Sequence, residues 1–358
     1  MAAKLRCGVV GLGRGKTFVR IFAARSDCEV VAVCDPNPTA LAGFSGLKAH
    51  TNYDAFLEER LDVVAVISPG PVHAEQSVKA LERGAHVLCE TPCVYSLDEA
   101  RAVIAAVEKS GRKYMLAENY IWQGWCVRLK EMARAGKLGN IVYAEGDYTH
   151  DCRDLMLADE AGFVNYAERD RHPGAKPTWR ATHLSPLFYC SHTLGPLLHV
   201  MEDRVATALA FAVAGRAAPD LAPTDLETGL FETRRGAIIR LTNGFTVAHP
   251  MALYYHLVGT RGSAVVLRAG TTCAKWWSEA GEAVKGWQEV PPDFFQRPDG
   301  RSDLEAMIGD FVASIRQDTE PPLDVYESLA MTIPGIIAHE SGMRGGAKLS
   351  VPDLRSSR

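Results

Sequence analysis

The sequence predicts an α/β protein: an N-terminal doubly wound parallel sheet, then a C-terminal α+β domain with a large, mostly antiparallel open sheet. Three observations predict it. Short β-branched runs alternate with helical patterns up to about residue 120, as strands covered by helices on both faces require. After residue 139 longer alternating stretches take over, some separated by turns at Arg235-Gly236 and Arg261-Gly262, which suits hairpins. The length, 358 residues, corresponds to about two domains at roughly 150 residues each. The expected division is 1–122 and 123–358.

In the first domain the strand candidates are 5–10, 29–34, 62–67, 86–89 and 113–117, near-continuous apolar runs of the kind buried on both faces. Helices are expected at 71–83 and 97–110. The second opens with Ser96-Leu97-Asp98-Glu99, a capping box in which serine and glutamate satisfy free amides reciprocally. A helix at 125–135 closes on Gly136. In the second domain strands are expected at 140–150, 227–233, 237–242, 246–259 and 264–268. The small-apolar run 205–215 also reads as a core strand, far short of the ~20 residues a bilayer span needs. Helices are expected at 186–201, at 304–316 behind the capping box Ser302-Asp303-Leu304-Glu305, and at 325–341. The charge-rich stretch 151–178 shows little periodicity and reads as a functional loop.

Lys and Arg number 39 against 43 Asp and Glu, a net charge of -4, so no basic field attracts nucleic acid or an anionic membrane. Nine cysteines without a CxxC pair offer neither a disulfide framework nor a zinc site. His339-Glu340 is followed by Met343 where a zinc-binding HExxH needs histidine, and no other cluster has ligand spacing, so no metal is expected. No GxSxG elbow marks a serine hydrolase. The N-terminus has neither the length nor the cleavage site of a signal peptide, and a reducing cytoplasm is the expected location.

Val9-Val10-Gly11-Leu12-Gly13-Arg14-Gly15-Lys16 leaves a predicted strand and opens a predicted helix, the setting in which a glycine motif binds a dinucleotide. Gly11 permits the tight turn. Gly13 lets backbone amides approach a pyrophosphate at the positive end of the helix. The third glycine of GxGxxG is absent: Gly15 comes one place early, and Lys16, at the usual position, adds a phosphate-facing charge. Asp35, ending the next strand, is placed to accept hydrogen bonds from the adenosine ribose, and its charge favours NAD over NADP. Two other readings compete. Gly15-Lys16-Thr17 resembles the end of a P-loop, but Val10 stands where that motif needs its leading glycine. The second is a ligand-free strand-turn-helix.

Tyr189 and His192 lie three apart on a predicted helix and share a face. Tyr148 and His150 share a face of their strand. Such pairs bring a hydroxyl and an imidazole to one substrate group, or anchor a tyrosine beside a satisfied histidine. For His150, His172 and His183 the structural reading is favoured. Trp276, Trp277, Tyr254 and Tyr255 offer sugar-stacking faces, but aromatic pairs in strands are more often core or interface, and no role is assigned to them.

Across essentially the whole chain the sequence resembles the Gfo/Idh/MocA family of NAD(P)-dependent sugar oxidoreductases. The landmarks are the glycine loop, Asp35-Pro36, Ser68-Pro69-Gly70-Pro71-Val72-His73, Glu90-Thr91-Pro92 and the tail motifs Asp324-Val325-Tyr326-Glu327 and Val351-Pro352-Asp353. The resemblance implies a Rossmann domain, an open-sheet domain and an active site between them. It also implies NAD-facing roles for Ser68, Pro69, His73, Glu90, Thr91 and Pro92. The sequence departs from the family at Thr91, where typical dehydrogenases read Glu-Lys-Pro and use the lysine on the reacting hydroxyl.

A narrower resemblance fits that departure. Glu118-Asn119, the segment from Ala144 to Asp151, and Tyr189-Cys190-Ser191-His192-Thr193-Leu194-Gly195-Pro196 are similar to motifs of the NAD-dependent glycosidase branch, typified by an α-N-acetylgalactosaminidase family. It implies that Glu118, Tyr148, Tyr189 and His192 line a sugar pocket, with Asn119 beside the cofactor. The segment from Leu184 to Phe188 replaces that branch's glycine-rich stretch, so the particular sugar does not carry over. The expected function is redox-assisted glycoside cleavage. The alternatives are a net sugar or polyol dehydrogenase and a non-catalytic NAD(H)-binding regulator. A homodimer or higher oligomer is expected, because the broad open sheet needs its second face covered.

Overall fold

The computed structural model describes residues 3–221, 224–269, 271–279 and 286–355. The chain divides into two compact units, Met1–Asn119 with Leu304–Leu329 and Leu354–Arg358, and Tyr120–Asp303 with Ala330–Asp353. Residues 304–329, expected in the second domain, therefore group with the first.

In the first unit the strands are β1 (Leu5–Val10), β2 (Cys28–Cys34), β3 (Lys48–His50), β4 (Val63–Val66), β5 (His86–Cys89) and β6 (Tyr114–Leu116). Among the described residues they form a six-stranded sheet in the order β3-β2-β1-β4-β5-β6, with every neighbouring pair parallel. The order reverses direction at β1, so its carboxyl end opens the crevice where ligands bind in doubly wound sheets. All four residues of β4 are buried, which is why the run carries no polar alternation. The helices are α1 (Leu12–Ala24), α2 (Pro38–Leu41), α3 (Tyr53–Leu57), α4 (His73–Glu82) and α5 (Leu97–Ser110). The serine half of the expected capping box forms at α5, where Ser96 Oγ accepts from the Glu99 amide at 3.1 Å, while the Glu99 carboxylate reaches one residue past the cap to the Tyr95 amide at 2.6 Å. β3, α2 and α3 were not anticipated, being too short to show a period.

The second unit holds α6 (Gly124–Arg134) and β7 (Ile141–Thr149). The stretch 151–178, expected to be an irregular loop, contains β8 (Leu157–Asp159), β9 (Gly162–Phe163) and β10 (Lys176–Pro177) in a small sheet of order β10-β8-β9. It packs its own cluster of Leu157, Val164, Tyr166 and Ala218. After α7 (Trp179–His183) comes a 3-10 turn, Pro186–Tyr189, and then α8 (Ser191–Met201). The single helix expected over 186–201 is thus divided, because the Leu187 amide donates to the Glu227 carboxylate at 2.8 Å.

The main sheet continues with β11 (Val205–Ala214), β12 (Thr224–Thr233), β13 (Ile238–Gly244), β14 (Ala252–Gly259), β15 (Gly262–Ala269), β16 (Thr271–Ser278), β17 (Gln288–Glu289) and β18 (Leu349–Ser350). Among the described residues its nine strands run β17-β16-β15-β14-β7-β13-β12-β11-β18. The pairings are antiparallel except for β7 with β13. The expected strand 246–259 shortens to β14, because Pro250 lacks a ladder amide and the Thr246 hydroxyl turns to the Asp225 carboxylate. Two further helices, α9 (Asp303–Gln317) and α10 (Val325–Met343), complete the chain. The division between units falls within α10.

α8 lies close over the sheet at Gly146, where a Cβ would come within 3.2 Å of Thr193 and 3.0 Å of Leu241. The opposite face presents Glu145 and Asp147, each 3.3 Å from Arg240, beside the exposed Leu230, Ile238 and Trp277. Burial pushes the Asp147 carboxyl up, with Arg240 pulling the other way. All nine cysteines are free thiols, and eight are buried. Among the described residues no helix is long and apolar enough to cross a membrane.

Candidate functional site

The glycine loop occupies the carboxyl end of β1. Gly11 has φ 85°, and a Cβ there would sit 2.4 Å from the Ser68 amide nitrogen, so two constraints demand glycine. Around Gly13 a Cβ would meet nothing within 4 Å, leaving open space above the first turn of α1. A Cβ at Gly15 would lie 3.0 Å from Val9 Cγ1. The close helix-to-strand packing of the missing third glycine is therefore made one place early by Gly15, and Lys16 is exposed. Asp35 accepts from the Leu12 amide at 2.8 Å and the Asn37 amide at 2.9 Å, joining the ends of β1 and β2. A turn only glycine can make, an open approach to amides at a helix start and a carboxylate on the next strand fit a dinucleotide.

Behind this loop lie Ser68, Pro69 and His73. The buried His73 places Nε2 2.6 Å from the Ser68 carbonyl and Nδ1 2.8 Å from the Pro92 carbonyl, tying the two loops together. Burial lowers the His73 pKa, against the pull of the two carbonyls and Glu90. The Thr91-Pro92 bond is cis. Glu90 accepts from the Thr91 amide at 2.8 Å and pairs with Arg14 of the glycine loop. The turn lacks a lysine, and the cation paired with its glutamate is that arginine. Glu118 and Asn119, which end this unit's first segment, are both buried.

In the second unit the expected tyrosines and histidine come together. The Tyr189 and His192 rings are 5.1 Å apart edge to face, and Tyr148 lies 6.5 Å from Tyr189 and 6.0 Å from His192. Phe245 closes one side at 5.4 Å from Tyr148 and 6.0 Å from Tyr189. Tyr120, which the sequence reading did not single out, stacks on His192 at 4.4 Å and 19°. No periodicity links residues 72 positions apart. His150 lies 6.3 Å from Tyr148, with Cys152 Sγ 3.4 Å from its Nδ1. Burial holds the His150 pKa down and the Cys152 thiol up at about 12, so the pair is neutral rather than a thiolate-imidazolium nucleophile. His172 pairs with Asp159 at 2.8 Å, and His183 with Thr182 at 2.7 Å. Tyr254 and Trp277 lie on the open sheet face, while Tyr255 is fully buried. No group of three metal-ligating side chains occurs among the described residues.

A parallel sheet with a dinucleotide loop at its switch point, joined in one chain to an open-sheet domain, defines an NAD-dependent oxidoreductase-type enzyme. Residues 5–118 match the Gfo/Idh/MocA family, described as an oxidoreductase family with an NAD-binding Rossmann fold, and the chain is an NAD-dependent enzyme. It is 25% identical over 396 aligned positions to a glycosyl hydrolase family 109 protein of Streptomyces niveus, covering 98% of this chain and 77% of the relative. A glycosyl hydrolase family 109 protein of Saccharopolyspora erythraea is also 25% identical, over 99% of this chain and 84% of the relative. Among solved structures, levoglucosan dehydrogenase in complex with NADH superposes with a TM-score of 0.80 at 18% identity, covering 98% of this chain and 100% of that one. At that identity the likeness is one of fold.

Proposed function

We propose that the protein cleaves a glycoside by transient oxidation of the sugar at C3, elimination of the C1 substituent, addition of water and re-reduction. The observation that carries this reading is the convergence of Tyr148, Tyr189 and His192 within 6.5 Å of one another. It is supported by the absence of lysine from the Glu90-Thr91-Pro92 turn and by the family 109 names of the relatives.

NAD, when bound, supplies a reversible hydride acceptor, with no net redox change over a turnover. Gly11, Leu12, Gly13, Arg14, Gly15 and Lys16 would hold its phosphates and Asp35 its ribose, while Ser68, Pro69, His73, Glu90, Thr91, Pro92 and Asn119 would shape the nicotinamide side. His192 takes the C3 hydroxyl proton, with the Tyr189 hydroxyl hydrogen-bonded beside it. The ketone acidifies the neighbouring C2–H. Tyr148, or a water held by Glu118, removes that proton and the C1 bond breaks. Return of the protons follows the addition of water.

The protein acts as a homodimer or higher oligomer that covers the open sheet face, where Leu230, Ile238 and Trp277 are exposed. Its proposed location is a reducing cytoplasm, a reading that nine free thiols support. The deciding experiment is a time course with NAD-loaded protein and a panel of nitrophenyl glycosides, following nitrophenol and NADH together. Many turnovers of nitrophenol without NADH accumulation, lost when NAD is stripped, are expected. NADH accumulating without bond cleavage means a net dehydrogenase; neither signal on any sugar favours an NAD(H)-binding regulator.

A further inference from the structure

One row across the second unit's sheet carries three side chains in register. Glu227 of β12 pairs with Asn243 of β13, and Asn243 with Tyr148 of β7. Adjacent strands lie about 4.8 Å apart, so the row is a short ruler with Tyr148 at one end and Glu227 at the other. Asn243 and Glu227 both reach the turn before α8. Asn243 Nδ2 donates to the Pro186 carbonyl at 3.1 Å, and its Oδ1 accepts from Thr193 of α8 at 3.4 Å. Glu227 Oε2 accepts from the Ser185 hydroxyl at 2.6 Å and the Leu187 amide at 2.8 Å. Its Oε1 lies 2.6 Å from His339 Nδ1, which is also 2.8 Å from Ser185 Oγ. One proton arrangement satisfies all of these contacts: His339 carries its proton on Nδ1 and donates to both oxygens, while Ser185 donates to Glu227.

The Glu227 carboxylate is fully buried, and such a group is costly without partners. Its partners all belong to, or brace, the 3-10 turn Pro186–Tyr189. From the other side α10 presses on the same turn. A Cβ at Gly335 would fall 2.0 Å from the Leu187 carbonyl oxygen and 2.5 Å from Cys190 Sγ, so only glycine admits that approach. The His339 ring also meets Phe188 edge to face at 4.9 Å.

The geometry points to Glu227 as a positioning residue. Through Ser185, Leu187 and His339 it fixes the turn that carries Tyr189, and so sets the spacing of Tyr189 and His192 against Tyr148. This inference rests on the function proposed above, because the spacing matters only if those groups handle substrate protons. An error of about 1 Å in such a constellation costs on the order of 100-fold in rate.

The test uses full-length, NAD-loaded protein containing 3-fluorotyrosine, with the resonance of residue 189 identified by its loss in Y189F. E227Q keeps the shape of the side chain but can turn an amide donor toward the donors of Ser185 and Leu187. The expected result is a kcat reduced about 10- to 100-fold, with KM changed far less, a shifted residue-189 resonance and unaltered NAD affinity. S185A is expected to show a smaller change of the same kind, which S185T restores. If E227Q does not fold, the S185A and S185T pair decides the matter. An unchanged residue-189 resonance with unchanged kcat overturns the inference, as does a lower Tm with neither changed. If the wild-type protein turns over no glycoside, the proposed function fails, and the resonance alone then decides whether Glu227 positions the turn.

Discussion

The Tyr255 hydroxyl donates a 2.5 Å hydrogen bond to the backbone carbonyl of His192. In an α-helix that carbonyl would accept from the amide four residues on, but that residue is Pro196, inside α8 and without an N–H. The proline leaves the carbonyl to the sheet, and Tyr255, packed against Trp125 with ring centroids 4.5 Å apart, takes it. The histidine of the cluster is thus held through its own main chain.

Tyr255→Phe removes that donor and leaves a buried acceptor unsatisfied, a cost of about 1–3 kcal/mol. Thermal denaturation is expected to show a lower Tm, and steady-state kinetics a lower kcat. Full activity together with wild-type stability would show that another donor replaces the tyrosine.

His192→Ala removes the proposed base without touching the dinucleotide loop. Turnover is expected to fall by at least ~100-fold, the lower range for loss of a general base, while NADH fluorescence titration gives an unchanged Kd. Unchanged turnover would remove His192 from the mechanism.

Two glycine substitutions separate folding from cofactor binding. Gly11→Ala places a Cβ 2.4 Å from the Ser68 nitrogen at φ 85°, so both Tm and NAD binding should fall. Gly13→Ala meets no atom within 4 Å, so Tm should hold while NAD affinity drops. Equal NAD affinity in Gly13→Ala and wild type would argue against a close approach of the pyrophosphate there.

His199 supplies a pH dependence. Burial, then Lys130 and Arg134, push its pKa from the ordinary 6.5 to about 3. Between those values the unfolded chain binds the proton and the folded one does not, so this contribution is complete above about pH 6.5 and is lost as pH falls. The slope is at most about 1.4 kcal/mol per pH unit. His199→Gln removes the titration, so urea unfolding should show a shallower loss of stability between pH 6.5 and 4.5. An identical slope in the variant would place the acid sensitivity elsewhere.

The parallel sheet was legible because strands buried on both faces leave unbroken apolar runs, as in 63–66, and because the glycine loop marks the switch point. Tyr148, Tyr189 and His192 were legible as residue types and spacings, and the structure brings them together. Their supports were not. Tyr120 on His192 and Glu227 on His339 are contacts between distant segments, fixed by strand register and helix placement rather than by any local period. The parallel β7–β13 pair was hidden for the same reason. At 246–259 the apolar pattern overstated the strand, since Pro250 and the Thr246–Asp225 bond end the ladder early.

The distribution of thiols equips the protein with its own gauge of opening. Five of the buried cysteines, Cys7, Cys28, Cys34, Cys89 and Cys93, belong to the first unit, and three, Cys126, Cys152 and Cys190, to the second. Only a thiol that reaches solvent reacts with an alkylating reagent, so each residue's labelling rate under native conditions measures the free energy of the fluctuation that exposes it. Cys273, the one thiol not fully buried, provides the fast internal standard. Residue-resolved alkylation would then rank the two units by stability, and show which of them NAD protects.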